Sequence, residues 1–253
     1  MKLSIITICF NNLQELIKTC ESVDAQIEKP FEHIIINGST NNQIKDWFES
    51  IQINNNYRRI INERDAGISD AFNKGIKIAK GEVIHLLNSG DIYYDKNVTQ
   101  IVAKKFNDIP SVKWVSGNII LYRGGIWVDI GKPFDKKQVF KGMRAISHPT
   151  WFVKKEVYDR LGLYKNYSIA MDYDMMCRIK EELYAYINYT LVKFDNTGLS
   201  SANYLESLNQ NIEVYESNFG YSLKCRLWQF RLKLFHQFLQ TWFGKKVYSL
   251  MMR

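Results

Sequence analysis

Residues 65–91 read DAGISDAFNKGIKIAKGEVIHLLNSGD, and this stretch decides the fold. Ile68, Ala71, Phe72, Ile76 and Ala79 recur at helical spacing, which predicts a helix over 68–79. Glu82–Leu87 follows as a strand and stops at the turn formers Asn88, Ser89, Gly90 and Asp91. Working outward, Leu3–Cys9, Phe31–Ile36 and Tyr57–Asn62 read as three more short strands, and Asn11-Asn12 opens a helix to about Ala25. Strands separated by helices predict an α/β fold: a Rossmann-like, mostly parallel sheet flanked by helices, with ligands at the carboxyl ends of the strands.

Beyond Asp91 the regularity weakens. Val112–Tyr122 and Ile126–Ile130 flank Gly124-Gly125 as a hairpin, Lys154–Leu161 and Asp172–Glu181 read as helices, and Tyr184–Lys193 as a strand. Tyr204–Phe219 and Leu223–Phe243 complete the chain as helices. No linker separates two globular units, so the expected organisation is one catalytic unit, 1–202, with a basic amphipathic helical tail, 203–253.

Polar residues recur where the first strands end. Asn37, Gly38, Ser39, Thr40 and Asn41 follow strand two; Asp65 and Gly67 follow strand three, with Asp70, Asn73 and Lys74 in the next helix; Asp91 follows strand four. Each group alone is what a turn needs. Their repetition along one edge of a parallel sheet points instead to a shared nucleotide site.

These motifs, in this order, resemble those of glycosyltransferase family 2, and are similar to its colanic-acid-type branch. Ser4–Asn11 resembles the family's opening strand, with Phe10 and Asn11 near the base of the nucleotide. Asn37–Asn41 resembles the Asp-Gly-Ser-Thr-Asp turn, and Asp65–Gly75 the Asp-x-Gly-hydrophobic-x-Asp-Ala-x-Asn-x-Gly signature. Leu87–Asp91, Ile146-Ser147-His148, Ala170–Asp174 and Gly198-Leu199-Ser200 follow, so that the likeness covers roughly 3–201.

The resemblance implies the GT-A fold and a metal-dependent, inverting nucleotide-sugar transferase of surface polysaccharide synthesis. A Mn²⁺ or Mg²⁺ ion would neutralise the diphosphate leaving group, and such hard cations take oxygen ligands. The matching metal ligand is Asp91. The acid that usually precedes it is replaced by Asn88 or Ser89, whichever aligns. Asp172 matches the catalytic base that takes the acceptor's proton; the competing reading is a helix N-cap. Asp174 lies about 200° further round a helix and cannot share that task; it reads as a cap or as a tie to a loop. His148 reads as a further ligand or a contact to the diphosphate, or else as a satisfied histidine beside Pro149. Phe10, Asn11, Asn37, Ser39, Asp65, Asp70, Lys74, Asn88, Ser89 and His148 make up the expected nucleotide-sugar site. Asn37 and Asn41 stand where the family carries acids. An amide both accepts and donates, which opens the choice of base and keeps a second reading in play: a non-catalytic sugar- or nucleotide-binding homologue serving as an assembly subunit. A nucleotidyltransferase is disfavoured, because Asn11-Asn12-Leu13-Gln14 is not a Gly-rich basic loop.

Of the net charge of +8, all but about +1 resides in the tail, where residues 221–253 contain seven Lys/Arg and no Asp or Glu. Leu223, Leu227, Phe230, Leu234 and Phe238 share one face of the last helix, with Arg226, Gln229, Lys233 and His236 on the opposite arc. Such a helix suits an anionic membrane surface and a saccharide or lipid-linked acceptor, or packing on the core or on a second copy of the chain. No nucleic-acid-reading motif accompanies the charge. Four scattered cysteines read as free thiols in a reducing compartment. With no 18-residue apolar run, the expected location is cytoplasmic, peripheral on the inner face of the cell membrane.

Overall fold

A computed structural model of the chain describes residues 1–51, 56–195, 203–244 and 246. The motif at 198–200 therefore lies outside the described residues, as does the end of the tail. Among the described residues one nine-stranded sheet forms the centre, in the order β3-β2-β1-β4-β8-β6-β9-β5, with β7 added on β6. Its first half is built from β1 (Leu3–Cys9), β2 (Glu32–Asn37), β3 (Arg58–Asn62) and β4 (Val83–Leu86), all mutually parallel. The helices between them are α1 (Leu13–Asp24), α2 (Gln43–Ile51) and α3 (Ile68–Ile78).

The second half is mixed rather than parallel. β8 (Phe152–Lys154) runs antiparallel to β4, β6 (Trp114–Arg123) antiparallel to β8, and β9 (Tyr184–Lys193) parallel to β6. β5 (Ile92–Tyr93) closes the far edge and β7 (Ile126–Ile130) makes the expected hairpin with β6. Helices α4 (Val98–Asp108), α5 (Lys155–Leu161), α6 (Met171–Ile179), α7 (Tyr204–Phe219) and α8 (Leu223–Gln240) complete the molecule, with 3₁₀ turns over Lys136–Ala145 and His148–Thr150.

The central strands are apolar on both faces because both faces are covered. Ile6, Ile34, Ile36, Ile84 and Leu86 meet Phe72 and Ile76 of α3 and the Met175–Met176 region of α6. Leu3, Ile5 and Val83 belong to a second cluster with Val98, Val102 and Phe106 of α4. α3 lies close on the sheet: a Cβ at Gly75 would collide with the side chain of Ile6. α7 joins the first cluster through Val214, which is fully buried.

α8 docks through residues that its amphipathic pattern does not single out. Its buried residues are Cys225, Gln229 and Leu232; Gln229 donates to the Phe140 carbonyl at 3.2 Å and Arg226 pairs with Glu216 of α7 at 2.6 Å. Gln229, placed on the solvent arc by periodicity, is 1% exposed, whereas Leu227 and Phe230 are 58% and 56% exposed. Gln229 is the polar-arc residue that turns inward, beside Cys225 and Leu232, while Arg226 and Lys233 stay exposed and Leu223, Leu227, Phe230 and Leu234 face outward.

Candidate active site

The carboxyl ends of β1 to β4 do converge. Asn11, the one described non-glycine residue with positive φ (55°), donates from its backbone N–H to Ser39 Oγ at 2.8 Å and from its side chain to Thr40 Oγ1 at 3.1 Å. Asn tolerates that left-handed conformation. Phe10 beside it is 59% exposed, an uncovered aromatic face at the lip of the sheet. The Asp65 carboxylate lies against the backbone of Gly38, where a Cβ would collide with it, and accepts from Gly67 N–H at 3.0 Å.

Asn37, Asp70 and Lys74 are likewise engaged within the protein. Asn37 is buried; its Oδ1 accepts from Ser39 N–H at 3.1 Å and its Nδ2 donates to Asn62 Oδ1 at 2.8 Å. An Asp at 37 could still accept from Ser39 N–H but could not donate to Asn62 Oδ1, so the amide is matched to its neighbour as well as uncharged. Asp70 accepts from Ala66 N–H at 3.0 Å, and Lys74 bridges Asp70 and Glu63 at 3.1 and 2.9 Å. The Ala66 amide first, and then Lys74, hold the Asp70 carboxyl below its usual range. These contacts fix the 63–67 loop onto α3.

The loop after β4 is different. Gly90 adopts φ 104°, a conformation open to glycine, and Thr19 of α1 pins the turn by accepting from Gly90 N–H at 3.0 Å and donating to the Asp91 carbonyl at 2.9 Å. Asp91 is 2% exposed. Its Oδ1 accepts from the Asp195 N–H at 2.9 Å, and a Cβ at Gly90 would lie 2.9 Å from Asp195 Oδ2. Burial pushes the Asp91 carboxyl up to about 7; the nearby Asp195 charge adds to the rise and its amide opposes it. Asp91 Oδ2, Ser89 Oγ and Asn88 Oδ1 are buried with no hydrogen-bond partner. Three orphaned oxygens within four residues form a hard-donor set that suits a divalent cation or the N–H and O–H groups of a ligand. Among the described residues no three His, Cys, Asp or Glu side chains form a closed metal cage. The set therefore fits a cation that shares its ligands with substrate oxygens and water.

Asp172 stands at the second position of α6. The N-cap is Ala170, with no side-chain cap bond, and the N–H groups of Ile169 and Ala170 both donate to Gln210 Oε1 of α7 at 3.1 Å. Asp172 is therefore not the cap of α6, and Gln210 ties down the backbone just before the helix. Asp172 Oδ1 is buried without a hydrogen-bond partner and lies 3.4 Å from His148 Nε2. Burial pushes its carboxyl up to about 7 and His148 down to about 3, so the imidazole is neutral around pH 7. A base must be ionised to act, so sugar transfer should fall about tenfold per pH unit below about 7 and level off above it. A rate profile flat from pH 5 to 8 would contradict that assignment.

Tyr164 is a site residue that pattern reading missed. Asn73 holds its backbone at both ends, donating to Tyr164 O at 2.8 Å and accepting from Tyr164 N–H at 2.9 Å. The Tyr164 hydroxyl then lies 2.9 Å from His148 Nε2. A chain of contacts thus runs from the Asp65–Gly75 signature to Asp172. Asp195 was missed as well, since nothing in its local sequence ties it to Asp91. Asp174 is fully buried and bonded to Lys165, Arg178 and Asn218 at 3.1, 2.8 and 3.1 Å. It ties the loop before α6 to α7, the second of its two expected roles.

Known proteins place this arrangement. Residues 4–162 match the family model for glycosyl transferase family 2. An uncharacterized glycosyltransferase of Mycobacterium tuberculosis is 28% identical over 210 residues, 78% of this chain and 76% of its own length. A PGL/p-HBAD biosynthesis glycosyltransferase of Mycobacterium bovis is 26% identical over 172 residues, 66% and 65% of the two chains. Among solved structures, S. aureus TarS 1–349 in complex with UDP-GlcNAc superposes with TM-score 0.64 at 13% identity, over 87% of this chain and 68% of that one. The Pyrobaculum calidifontis mannosyltransferase PcManGT, in complex with GDP-Man and Mn²⁺, gives 0.62 at 12% identity, over 99% and 79%. At such identities the likeness establishes the architecture, which is the mixed α/β GT-A fold with a helical C-terminal region.

Proposed function

The chain belongs to glycosyl transferase family 2, and we propose that it is an inverting transferase moving a sugar from a nucleotide-diphosphate donor to a saccharide or lipid-linked acceptor in surface polysaccharide synthesis. A place in the colanic-acid-type branch, with residues 1–202 as the catalytic unit, is part of that proposal. The observation that carries it is the placement of orphaned oxygens: of the described buried side-chain atoms without partners, four belong to Asn88, Ser89, Asp91 and Asp172. These are the positions that diphosphate chemistry and proton abstraction require. A non-catalytic homologue would have no reason to keep a buried carboxylate at Asp91 and a buried, unpartnered carboxylate oxygen at Asp172.

In this reading Phe10 and Asn11 border the nucleoside, Ser39 and Asp65 shape its pocket, and Asn37, Asp70 and Lys74 hold the loops that frame it. Asp91, with Asn88, Ser89 and the adjacent Asp195 carboxylate, would hold Mn²⁺ or Mg²⁺. When bound, the cation supplies positive charge that offsets the charge growing on the leaving diphosphate. Asp172 accepts the proton of the acceptor hydroxyl. Neutral His148, steadied by Tyr164, orients that carboxylate. The test is release of nucleoside diphosphate from UDP- and GDP-sugars, followed with and without EDTA. Release that requires a divalent cation is expected; release unchanged by EDTA removes the metal from the scheme, and no release with any donor removes the enzyme.

The location follows from α8. No described helix is long and apolar enough to cross a membrane, but an outward stripe of Leu223, Leu227, Phe230, Leu234 and Phe238, 39–58% exposed, flanked by charge of one sign, suits an interfacial anchor. A second copy would bring like charges together, so we favour a peripheral position on an anionic membrane over a homo-oligomer. Leu227→Glu with Phe230→Glu should abolish co-sedimentation with phosphatidylglycerol-rich vesicles while the fold persists, since both side chains are outside the packing. Sedimentation equal to that of the unaltered protein would refute the anchor.

A further inference from the structure

The loop between α5 and α6 is tied down at almost every residue. Arg178 of α6 donates to the carbonyls of Leu161, Gly162 and Leu163 at 2.8, 2.9 and 2.8 Å, and Asp174 holds Arg178 in turn at 2.8 Å. Asn73 of α3 then takes Tyr164 by its own N–H and carbonyl, at 2.9 and 2.8 Å. Phe72, one position before Asn73, lies against the Tyr164 ring with centroids 5.5 Å apart. One phenol, 4% exposed, is thus fixed from both α3 and α6, with its hydroxyl 2.9 Å from His148 Nε2. Packing accounts for the ring, but a hydroxyl carried into a buried site costs free energy unless its hydrogen bond is used.

A ring nitrogen makes one strong hydrogen bond, in the plane of the imidazole. At Nε2 that bond goes to Tyr164, whichever of the two atoms carries the proton. Asp172 Oδ1 lies further from the same nitrogen, at 3.4 Å, and is left without a hydrogen bond. A donor on that oxygen would favour the ionised carboxylate and weaken it as a base. Without one, burial pushes the Asp172 carboxyl up to about 7, a value suited to taking a proton near neutral pH. The other groups around it do not oppose this. His148 is neutral, pushed down to about 3 by burial. Tyr158 of α5, hydrogen-bonded to Tyr164, and Tyr164 itself are pushed up, by burial first, and stay neutral phenols. Arg178 is committed to Asp174 and the three carbonyls. α3 presents the Phe72 ring to His148, and α7 presents the uncharged Gln210 to the start of α6.

We infer that Tyr164 is a positioning residue for the base: its hydroxyl keeps His148 Nε2 to itself, so that no N–H of the imidazole reaches the Asp172 carboxylate. The inference rests on the reading of Asp172 as the base and says how the fold keeps that base strong. It also gives Asn73, in the 65–75 signature, a task at the acceptor side of the reaction, because Asn73 sets where Tyr164 stands.

Infrared pH titration of the full chain, with the spectrum of Asp172→Asn subtracted, follows that one carboxyl and needs no substrate. In the unaltered protein it should be half ionised at about 7. Tyr164→Phe keeps the ring and removes only the hydroxyl, so the midpoint should fall by about one pH unit or more as the imidazole N–H turns to Asp172. His148→Phe should leave the midpoint in place, and adding it to Tyr164→Phe should restore what the single variant lost. Sugar transfer at pH 8 should drop about threefold in Tyr164→Phe with donor KM unchanged, the mark of a weakened base. An unmoved midpoint in Tyr164→Phe would overturn the inference, since a tyrosine that serves only the fold would lower the melting temperature and shift no titration. A midpoint raised in His148→Phe would overturn it too, by showing the imidazole already bonded to Asp172, as would a double variant no different from Tyr164→Phe. The rate of Asp172→Asn separates the two levels. Normal transfer in that variant removes the base, and the purpose of Tyr164 with it; a large loss there beside an unmoved midpoint in Tyr164→Phe removes the positioning role alone.

Discussion

Asp172→Asn should slow sugar transfer by about 100-fold or more while donor affinity stays where it was. The amide is isosteric, keeps an oxygen near His148, and loses the capacity to take a proton. The substitution removes no cap bond, because the N-cap position of α6 is Ala170 and not Asp172. The loss should therefore appear in kcat with the donor KM unchanged, the pattern of an interaction made in the transition state. The pH dependence should vanish with the group: the residual rate of the variant should no longer decline below about 7, where the buried carboxyl takes up its proton. Near-normal turnover would reduce Asp172 to a structural residue.

The second large effect is expected at Asp91. Asp91→Asn should remove the Mn²⁺-dependent gain in nucleotide affinity, a loss exceeding the roughly 10–100-fold that removal of an outer partner of a metal site costs. The Asn oxygen can still accept the Asp195 N–H that Asp91 Oδ1 now accepts, so the loop should keep its shape. Stability should move the other way. The folded-state value of Asp91 is raised from 3.8 to about 7, so its protonated form is the one the fold favours. Its contribution is complete below the ordinary value and is lost as pH rises through about 7. Without metal at pH 8, the variant should melt no lower than the unaltered protein. A lower melting temperature, or affinity for nucleotide that still responds to Mn²⁺, would count against the assignment.

How much of this was legible beforehand depended on element length and on distance in sequence. The four parallel strands and α3 were legible because each carries a full apolar run or several turns of periodic spacing. β5 and β8 have two and three residues, too few for a period of two to declare itself. α4 does carry a helical signal, Val98, Val102 and Phe106 being buried, but it lies in a region whose surroundings read as irregular. The site was legible where chemistry needs a residue type: Asp91 and Asp172, like Asn88 and Ser89, carry buried oxygens without hydrogen-bond partners. It was not legible where partners decide. Asn37 spends both ends of its amide on neighbours, Tyr164 is recruited by Asn73, and Asp195 reaches Asp91 across 104 positions of chain. α8 shows the limit of periodicity most plainly. The pattern identified its two faces, but the residues that pack, Cys225, Gln229 and Leu232, follow neither.

Calorimetric titration of the purified protein with UDP, GDP, CDP and dTDP, each with and without Mn²⁺, bears most directly on the central claim. Tight binding of one nucleotide that weakens sharply when Mn²⁺ is withheld is the predicted result. Absence of binding to all of them, or binding indifferent to Mn²⁺, would contradict a metal-assisted nucleotide-sugar site at Asp91.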